Sequence, residues 1–285
     1  MKRVGLIGHP IAHSLSPAVQ NAAFAYHGRG ERYELWDTEA SGLEARVHDL
    51  RGDGFLGANV TVPYKQAAMP YVDRLDPLAG QTGAVNTIVN EDGRLAGHNT
   101  DVTGFAQALS AAGFSTKGER VVVLGAGGAA RAVGLVLVRE GAASVDLCDI
   151  DVERARALAE HLRSPANGQT AVRAHAPSDA AFREAVARCR LLVNCTPAGT
   201  RHSDLEGRTP IDAEVIAPGA LVFDLVYNPP LTPLMAAAQE RGAQVVGGLS
   251  MLVYQAAASF KLWTGVEAPV DIMLAAARQA LDDAN

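Results

Sequence analysis

The sequence predicts an α/β protein of two domains, each built on a sheet covered by helices. Short apolar runs alternate with amphipathic stretches, which is typical of strands and helices that build a parallel sheet covered on both faces. The chain has 285 residues, more than one hydrophobic core usually serves. A glycine-rich turn near residue 125 joins a predicted strand to a predicted helix, which indicates a dinucleotide-binding unit in the second half.

The first third of the chain predicts a mixed sheet. Strands are expected at residues 3–7, 32–36 and 56–60, with helices at about 17–26 and 43–50. Residues 84–90 and 94–98 flank the turn sequence Glu-Asp-Gly, so we expect a hairpin that closes one edge of this sheet.

A second unit is predicted from about residue 118. Its elements are a strand at 120–124, a helix at 129–140, a strand at 144–149, a helix at 152–162, and further strands at 191–195, 221–224 and 244–246 with helices between them. After two glycines at 247 and 248 the chain is expected to be helical at about 250–263 and 270–282.

The glycine-rich turn carries the strongest local signal of a binding site. Gly125, Gly127 and Ala130 stand in G-x-G-x-x-A spacing between a strand and a helix. Gly125 permits a tight turn, Gly127 lets the backbone approach a pyrophosphate, and the helix N-terminus attracts the anion. A plain glycine-rich turn is the alternative. The expected cofactor-binding residues of this loop are Gly125, Ala126, Gly127, Gly128, Ala129 and Ala130.

Asp149 follows the second strand of this unit, where a carboxylate can accept hydrogen bonds from both adenosine ribose hydroxyls. It would also repel a 2′-phosphate, and Asp151 adds to that repulsion. Arg154 is the only nearby cation in the sequence that could offset them. We therefore expect NAD to be favoured by Asp149, with NADP possible. In the alternative interpretation, Asp149 is a solvated loop residue and Asp151 caps the next helix.

A polar stretch after the third strand ends at Lys65. Ligands of open α/β sheets bind at such strand ends. A lone lysine there is usually a solvated surface residue, so a functional role requires a partner. Asp101, which follows the predicted hairpin, is the candidate, because a lysine and a carboxylate in contact could act as a positioned proton relay.

Ser14 and Ser16 precede the first helix, and Pro17 is suited to its first position. We expect one of these serines, Ser16 in the simplest case, to be the N-cap residue. A cap does not account for both. Two hydroxyls on one turn suit a ligand that bears hydroxyls or a carboxylate.

Composition argues against several other classes of protein. A net charge of −6 and a pI near 5.7 provide no basic field for nucleic acid or an anionic membrane. No segment approaches the roughly 18 apolar residues of a membrane helix. The three cysteines form no C-x-x-C pair and lie in or beside apolar runs, so we expect buried thiols and a cytoplasmic protein. The histidines form no metal-binding motif, and no G-x-S-x-G occurs.

Eight segments together resemble, in order, the motifs of the shikimate dehydrogenase family. They are GHPIAHSLSP at 8–17, NVTVPYK at 59–65, GAVNT at 83–87, GHNTD at 97–101, GAGGAAR at 125–131, NCTP at 194–197, DLVYNP at 224–229 and the stretch at 248–257. The resemblance covers nearly the whole chain. It implies reversible NAD(P)-dependent oxidation of shikimate to 3-dehydroshikimate by hydride transfer at C3, with the proton handled by the protein.

The resemblance also implies roles for individual residues. Lys65 and Asp101 would be the catalytic pair, and Thr196 and Gly248 would join the cofactor-binding set. The substrate, a cyclic polyol carboxylate, would be held by Asp101 together with Ser14, Ser16, Thr61, Asn86 and Gln255, with Tyr227 beside them. The expected assembly is a monomer or a homodimer.

Three departures from the family pattern keep the substrate open. Asp149, Ile150 and Asp151 stand where NADP-using members typically carry Asn-Arg-Thr, Gln20 replaces a usual histidine, and Ala198 replaces a methionine. Such changes resemble paralogues that act on quinate or aminoshikimate, so an NAD-dependent dehydrogenase of either substrate is the alternative. A non-catalytic ligand sensor on the same fold is a second alternative. The presence of both Lys65 and Asp101 argues against it.

The expected domains follow from these assignments. Residues 1–103 and 248–285 would form a mixed α/β/α catalytic, substrate-binding domain completed by the C-terminal helices. Residues 104–247 would form a Rossmann-like NAD(P)-binding domain. We expect the active site in the cleft where the two meet, with hinge motion between them.

Overall fold

The computed structural model describes residues 2–166 and 168–283 of the chain. It divides into two compact units, which we call unit 1 (Met1–Gln107 and Ser250–Asn285) and unit 2 (Ala108–Leu249). The functions assigned above to the two expected domains stay predictions, as do the cleft and the hinge motion.

The elements of the first part of the chain alternate between strands and helices. They are β1 (Arg3–Gly8), α1 (Ser16–Tyr26), β2 (Arg32–Asp37), α2 (Leu43–Asp49), β3 (Phe55–Val60), β4 (Arg74–Leu75), α3 (Pro77–Thr82), β5 (Thr87–Glu91), β6 (Arg94–His98) and α4 (Thr100–Ala111). Short 3-10 turns lie at Ala40–Gly42 and Met69–Tyr71.

The remaining elements form unit 2 and then complete unit 1. They are β7 (Arg120–Leu124), α5 (Gly128–Arg139), β8 (Ser144–Cys148), α6 (Val152–Ala166), β9 (Ala171–His175), α7 (Ala180–Arg188), β10 (Leu191–Asn194), β11 (Leu221–Asp224), α8 (Pro233–Glu240), β12 (Gln244–Gly247), α9 (Leu249–Thr264) and α10 (Val270–Asp283). A further 3-10 turn lies at Ala213–Val215.

Unit 1 contains a six-stranded mixed sheet in the order β2-β1-β3-β5-β6-β4. Strands β2, β1 and β3 are parallel, β5 is antiparallel to β3 and to β6, and β4 is parallel to β6. Because β1 and β3 are parallel, their carboxyl ends share one edge of the sheet. The segment with Ser14 and Ser16 follows β1, and the turn with Lys65 follows β3.

The expected hairpin forms, but it does not close the edge of this sheet. Its first strand begins only at Thr87, and β4 lies outside β6 as the last strand of the sheet. The expectation is wrong in this respect because a strand of two residues is too short to show the alternation by which strands are recognised in sequence.

Unit 2 contains a six-stranded, fully parallel sheet in the order β12-β11-β10-β7-β8-β9. From β7 the chain builds outward through β8 and β9, and then from β10 to β12 on the other side. This order confirms the predicted Rossmann-like fold, with a switch of direction between β7 and β10, where sheets of this kind bind ligands. Strand β9 was not predicted.

Fully buried aliphatic side chains fill the interior of the second sheet, as expected for strands covered on both faces. Val121, Val123, Leu147, Leu192 and Val222 each have no exposed surface. No helix among residues 2–166 and 168–283 meets the length and apolarity that a membrane crossing requires. The cytoplasmic location stays a prediction.

Candidate active site

Lys65 and Asp101 form a buried ion pair in unit 1. The Lys65 Nζ atom lies 2.6 Å from Asp101 Oδ2, and the two side chains are 13% and 6% exposed. Lys65 belongs to the turn after β3, and its carbonyl oxygen accepts the N–H of Val85 at 2.7 Å. Asp101 lies in the first turn of α4, where the helix dipole favours a negative charge. The turn after β3 and the first turn of α4 thus bring the two side chains together.

The side-chain amide of Asn86 holds the other oxygen of this carboxylate. Its Nδ2 donates to Asp101 Oδ1 and to Thr100 Oγ1, both at 2.9 Å, and its Oδ1 accepts the Thr100 N–H at 2.7 Å. Because both carboxylate oxygens have a partner, the Asp101 side chain has one defined orientation. Gln255 Oε1 lies 3.4 Å from the same Asn86 Nδ2, so the structure brings four of the expected residues together.

A cluster of buried hydroxyls lies behind Asn86. The Oγ atoms of Thr87, Thr100 and Ser259 are 2.8 to 3.2 Å from one another. Asn59 Nδ2 reaches Thr87 and Ser259 at 3.0 Å, and Asn59 Oδ1 accepts the Tyr33 hydroxyl at 2.8 Å. Burial raises the pKa of Tyr33. Sequence reasoning missed this network, because its members are spread from β2 to α9 and no local spacing links them.

Ser14 and Ser16, at the start of α1, bond each other. Ser14 Oγ accepts the Ser16 N–H at 3.2 Å, and the two hydroxyl oxygens are 3.1 Å apart. The expectation that one serine is the N-cap is wrong. Ser16 is the first helical residue, Leu15 occupies the cap position without a side-chain hydrogen bond, and Ser14 instead closes a local turn. Pro17 lies at the start of the helix, as expected.

Thr61 opens the turn that carries Lys65. It directly follows β3, its N–H donates to the Ile7 carbonyl at 2.9 Å, and its own carbonyl accepts the Tyr64 N–H at 2.8 Å. Tyr227, expected beside the substrate, belongs to unit 2. Its place near the substrate stays a prediction.

In unit 2 the glycine loop connects β7 to α5. Gly125 has a φ of +94°, a left-handed conformation that favours glycine, and its N–H donates to the Cys148 carbonyl at 2.7 Å. Gly127 occupies the N-cap position of α5 and brings no side chain to cap the helix. Ala130 is fully buried. This geometry fits the close approach of a pyrophosphate to a helix N-terminus.

The carboxylates of Asp149 and Asp151 accept hydrogen bonds from backbone N–H groups. Asp149 Oδ2 accepts the Ala126 N–H at 2.7 Å, and its Oδ1 accepts the Asp151 N–H at 2.9 Å. Asp151 Oδ1 accepts the N–H groups of Glu153 and Arg154 at 3.2 and 3.3 Å, so it caps α6. The Asp149 carboxylate therefore fastens the glycine loop to the turn after β8.

Thr196 lies in a chain of buried polar groups at the ends of β10 and β11. Its hydroxyl donates to Asn194 Oδ1 at 2.7 Å, and Asn194 Nδ2 donates to Asp224 Oδ1 at 2.8 Å. Burial raises the pKa of Asp224, although it accepts hydrogen bonds from Thr232, Val226 and Asn194.

Gly248 follows β12, and a Cβ atom there would overlap the carbonyl group of Leu225. The loop therefore requires glycine at this position. The Arg154 guanidinium lies beside the glycine loop, with Nη2 3.9 Å from where a Cβ of Gly127 would stand. Unit 2 thus offers the parts that a dinucleotide needs, namely bare backbone, a helix N-terminus and a cation.

Two family models match the chain. The shikimate dehydrogenase substrate binding domain matches residues 6–88, and the shikimate 5′-dehydrogenase C-terminal domain matches residues 248–278. A shikimate dehydrogenase (NADP(+)) of Moorella thermoacetica is 47% identical over 278 residues, which are 98% of this chain and 93% of the relative. The chain belongs to the shikimate dehydrogenase family. The predicted resemblance is confirmed.

Further members of the shikimate dehydrogenase family match over at least 94% of their length. A shikimate dehydrogenase (NADP(+)) of Symbiobacterium thermophilum is 44% identical over 281 residues, which are 98% of this chain and 94% of the relative. The crystal structure of shikimate 5-dehydrogenase from Thermus thermophilus, in complex with NADP(H) and shikimate, has a TM-score of 0.87 and 38% identity. The match covers 99% of this chain and 100% of the Thermus chain.

The expected preference for NAD is wrong. Both relatives carry NADP(+) in their names, and the Thermus structure contains NADP(H). The prediction treated Asp149 as a carboxylate free to select between ribose groups. In the structure one of its oxygens accepts the Ala126 N–H of the glycine loop and the other accepts the Asp151 N–H of the turn after β8, so the acidic residue at this position also serves the backbone.

Proposed function

We propose that this chain catalyses the reversible oxidation of shikimate to 3-dehydroshikimate with NADP. The observation that carries the proposal is the buried contact between Lys65 Nζ and Asp101 Oδ2 in a member of this family. A desolvated lysine held against a carboxylate of fixed orientation is suited to proton transfer at a bound hydroxyl.

The reaction removes a hydride from C3 and a proton from the hydroxyl on that carbon. Bound NADP supplies the acceptor for the hydride. In the oxidation, the Lys65 side chain accepts the hydroxyl proton as a free amine and becomes an ammonium, and in the reverse direction this ammonium returns the proton to the forming hydroxyl. Asp101 orients the ammonium group through Oδ2, while Asn86 keeps the carboxylate from turning away through its bond to Oδ1. Pre-orientation of this kind removes reorganisation from the chemical step.

The remaining side chains hold the substrate. The paired hydroxyls of Ser14 and Ser16 suit its carboxylate, since each can donate one hydrogen bond. Thr61, Asn86 and Gln255 offer a hydroxyl and two amides to the ring hydroxyls. Tyr227 is proposed to lie beside the ring.

NADP would be held by the backbone of the glycine loop at residues 125–130, with Thr196 and Gly248 completing the set. The N-terminus of α5 would attract the pyrophosphate. Arg154 is proposed to pair with the 2′-phosphate, because its guanidinium reaches the glycine loop. Asp149 keeps that loop in place through Ala126.

The test is a set of initial rates with shikimate and quinate, each with NADP and with NAD. We expect the highest kcat/KM for shikimate with NADP, since discrimination lies in these ratios. A higher value for quinate would support the quinate alternative. No absorbance change with any pair would reject the dehydrogenase and support a ligand sensor. The Arg154→Ala variant should lower kcat/KM with NADP and leave NAD within about twofold, because only NADP carries the phosphate.

A further inference from the structure

We propose that Gln20 is a positioning residue that sets where α9 presents Gln255 to the substrate. This inference rests on the proposed function. Gln20 lies in α1 and its side chain has no exposed surface. Its Nε2 donates to the Ala256 carbonyl oxygen at 2.9 Å. Ala256 is the residue next to Gln255, so the bond joins α1 to α9 directly beside a proposed substrate group.

Two contacts, spaced one turn apart on each helix, join α1 to α9. Phe24, one turn after Gln20, packs against Phe260, one turn after Ala256, with ring centroids 5.1 Å apart. Apolar ridges and grooves allow several ways of sliding one helix along another. A buried hydrogen bond between two helices permits only one relative position along their axes. Fixing this register is the best attested role of a polar group inside a helix contact. The Gln20–Ala256 bond therefore defines the register of α1 against α9.

Stability alone does not account for a glutamine at this position. Gln20 Oε1 is buried and has no hydrogen-bond partner among the described residues. An unsatisfied buried carbonyl oxygen destabilises the folded state, whereas an apolar side chain of the same length would avoid that cost. The Ala256 carbonyl assigns the orientation of the amide, since the opposite orientation would set two oxygens against each other.

The register of α1 against α9 affects two groups of the proposed substrate site. Ser16 begins α1 one turn before Gln20, and it bonds to Ser14. On α9, Gln255 donates to the Leu252 carbonyl at 2.8 Å and has its Oε1 3.4 Å from Asn86. The Gln20 bond thus sets the separation between the serine pair and the Gln255 amide, both of which hold substrate in our proposal. A shift of about 1 Å between such groups can cost up to a hundredfold in rate.

The experiment replaces the amide by an apolar chain of equal length. In Gln20→Met we expect KM for shikimate to rise at least about fivefold, because Gln255 no longer has one defined position. KM for NADP should stay within about twofold, and the thermal midpoint should not fall, since the orphan oxygen is removed. A rise in KM for shikimate below about fivefold would overturn the proposal.

Two further variants distinguish a role in positioning Gln255 from a general role in the stability of the contact between α1 and α9. Phe24→Leu alters the same helix contact without touching the hydrogen bond, so it should lower the thermal midpoint and leave KM for shikimate within about twofold. In a Gln255→Ala background, Gln20→Met should add less than about twofold to KM, because coupled residues are not additive. A full effect in that background would show that Gln20 does not act through Gln255. An active wild-type enzyme with an unchanged Gln20→Met would reject this inference alone, whereas an inactive wild-type enzyme would reject the proposed function as well.

Discussion

Two aspartates that were expected to face a ligand have different partners. The Asp101 carboxylate in unit 1 contacts the side chains of Lys65 and Asn86. The Asp149 carboxylate in unit 2 accepts the backbone N–H groups of Ala126 and Asp151. The first arrangement places the protons of the Lys65 amino group beside a carboxylate of fixed orientation. The second uses the charge to close a loop, so the same residue type serves chemistry in one unit and backbone geometry in the other.

The comparison shows how a charge near a binding loop can mislead. A carboxylate beside a binding loop can order the backbone of that loop as well as meet a ligand. Asp149 satisfies backbone donors that a glycine loop leaves without partners, which is a structural task of the kind that helix caps perform. The negative charge of Asp149 therefore says less about which cofactor binds than the position of this residue in the sequence suggested.

The largest effect is expected at the side-chain pair. In Lys65→Met, kcat should fall by about 10² to 10⁴, because the proton loses its carrier while the substrate groups remain. Initial rates measure the loss, and a melting curve checks the fold. Lys117→Met is the matched control, since Lys117 is an exposed lysine of unit 2, and it should turn over at the wild-type rate. A Lys65→Met enzyme within tenfold of the wild-type rate would remove Lys65 from the chemistry.

A smaller effect is expected at the backbone-bound carboxylate. Asp149→Ala removes the acceptor of the part-buried Ala126 N–H, which should destabilise the bound form of the glycine loop by about 1 kcal/mol or more. Water can replace the acceptor of the exposed Asp151 N–H. KM for NADP and for NAD should therefore rise together by about tenfold. Kinetics with both cofactors check this expectation. If KM rose for NAD but fell for NADP, Asp149 would be a ribose selector after all.

The smallest effect is expected at Asp76, which combines both kinds of partner. It accepts the Ala79 N–H at 2.6 Å as the N-cap of α3, and it lies 3.1 Å from His98 Nδ1. Burial alone would raise the pKa of Asp76, but the bonds from His98 and Ala79 together hold it below its ordinary value. Because the pKa of Asp76 is lower in the folded protein, its charge stabilises the fold when the pH is above the ordinary pKa of an aspartate. This stabilisation is lost as the pH falls through the lowered pKa of the folded protein.

Asp76→Asn keeps a capping oxygen and loses the charge. We expect it to lower the free energy of unfolding by about 0.5 to 1 kcal/mol at neutral pH. At pH 3, below the ordinary pKa of an aspartate, the unfolded chain binds the proton more readily than the folded protein does, so the difference should shrink. Urea unfolding of both proteins at the two pH values measures it. An equal difference at both would assign the effect to shape and not to charge.

Prediction from sequence succeeded where the relevant contacts are local. The strand, glycines and helix of the cofactor loop occupy one short stretch, and β7 and β11 have the predicted bounds. It failed where an element was short or its partners distant. Strands β4 and β9 lack a clear alternation of their own, and the Asn59–Ser259 bond joins residues 200 positions apart.

The sequence by itself determined the fold class, the family and the residues that could carry the chemistry, because periodicity, turn composition and motif spacing are properties of neighbouring positions. Only the tertiary structure decided what each polar group bonds to. Asp101 bonds to the side chains of Lys65 and Asn86. Asp149 bonds to the backbone of the glycine loop, and Gln20 bonds to the backbone of α9. A hydrogen bond depends on direction and on distances of about 3 Å, and these are set only when segments far apart in the chain pack together.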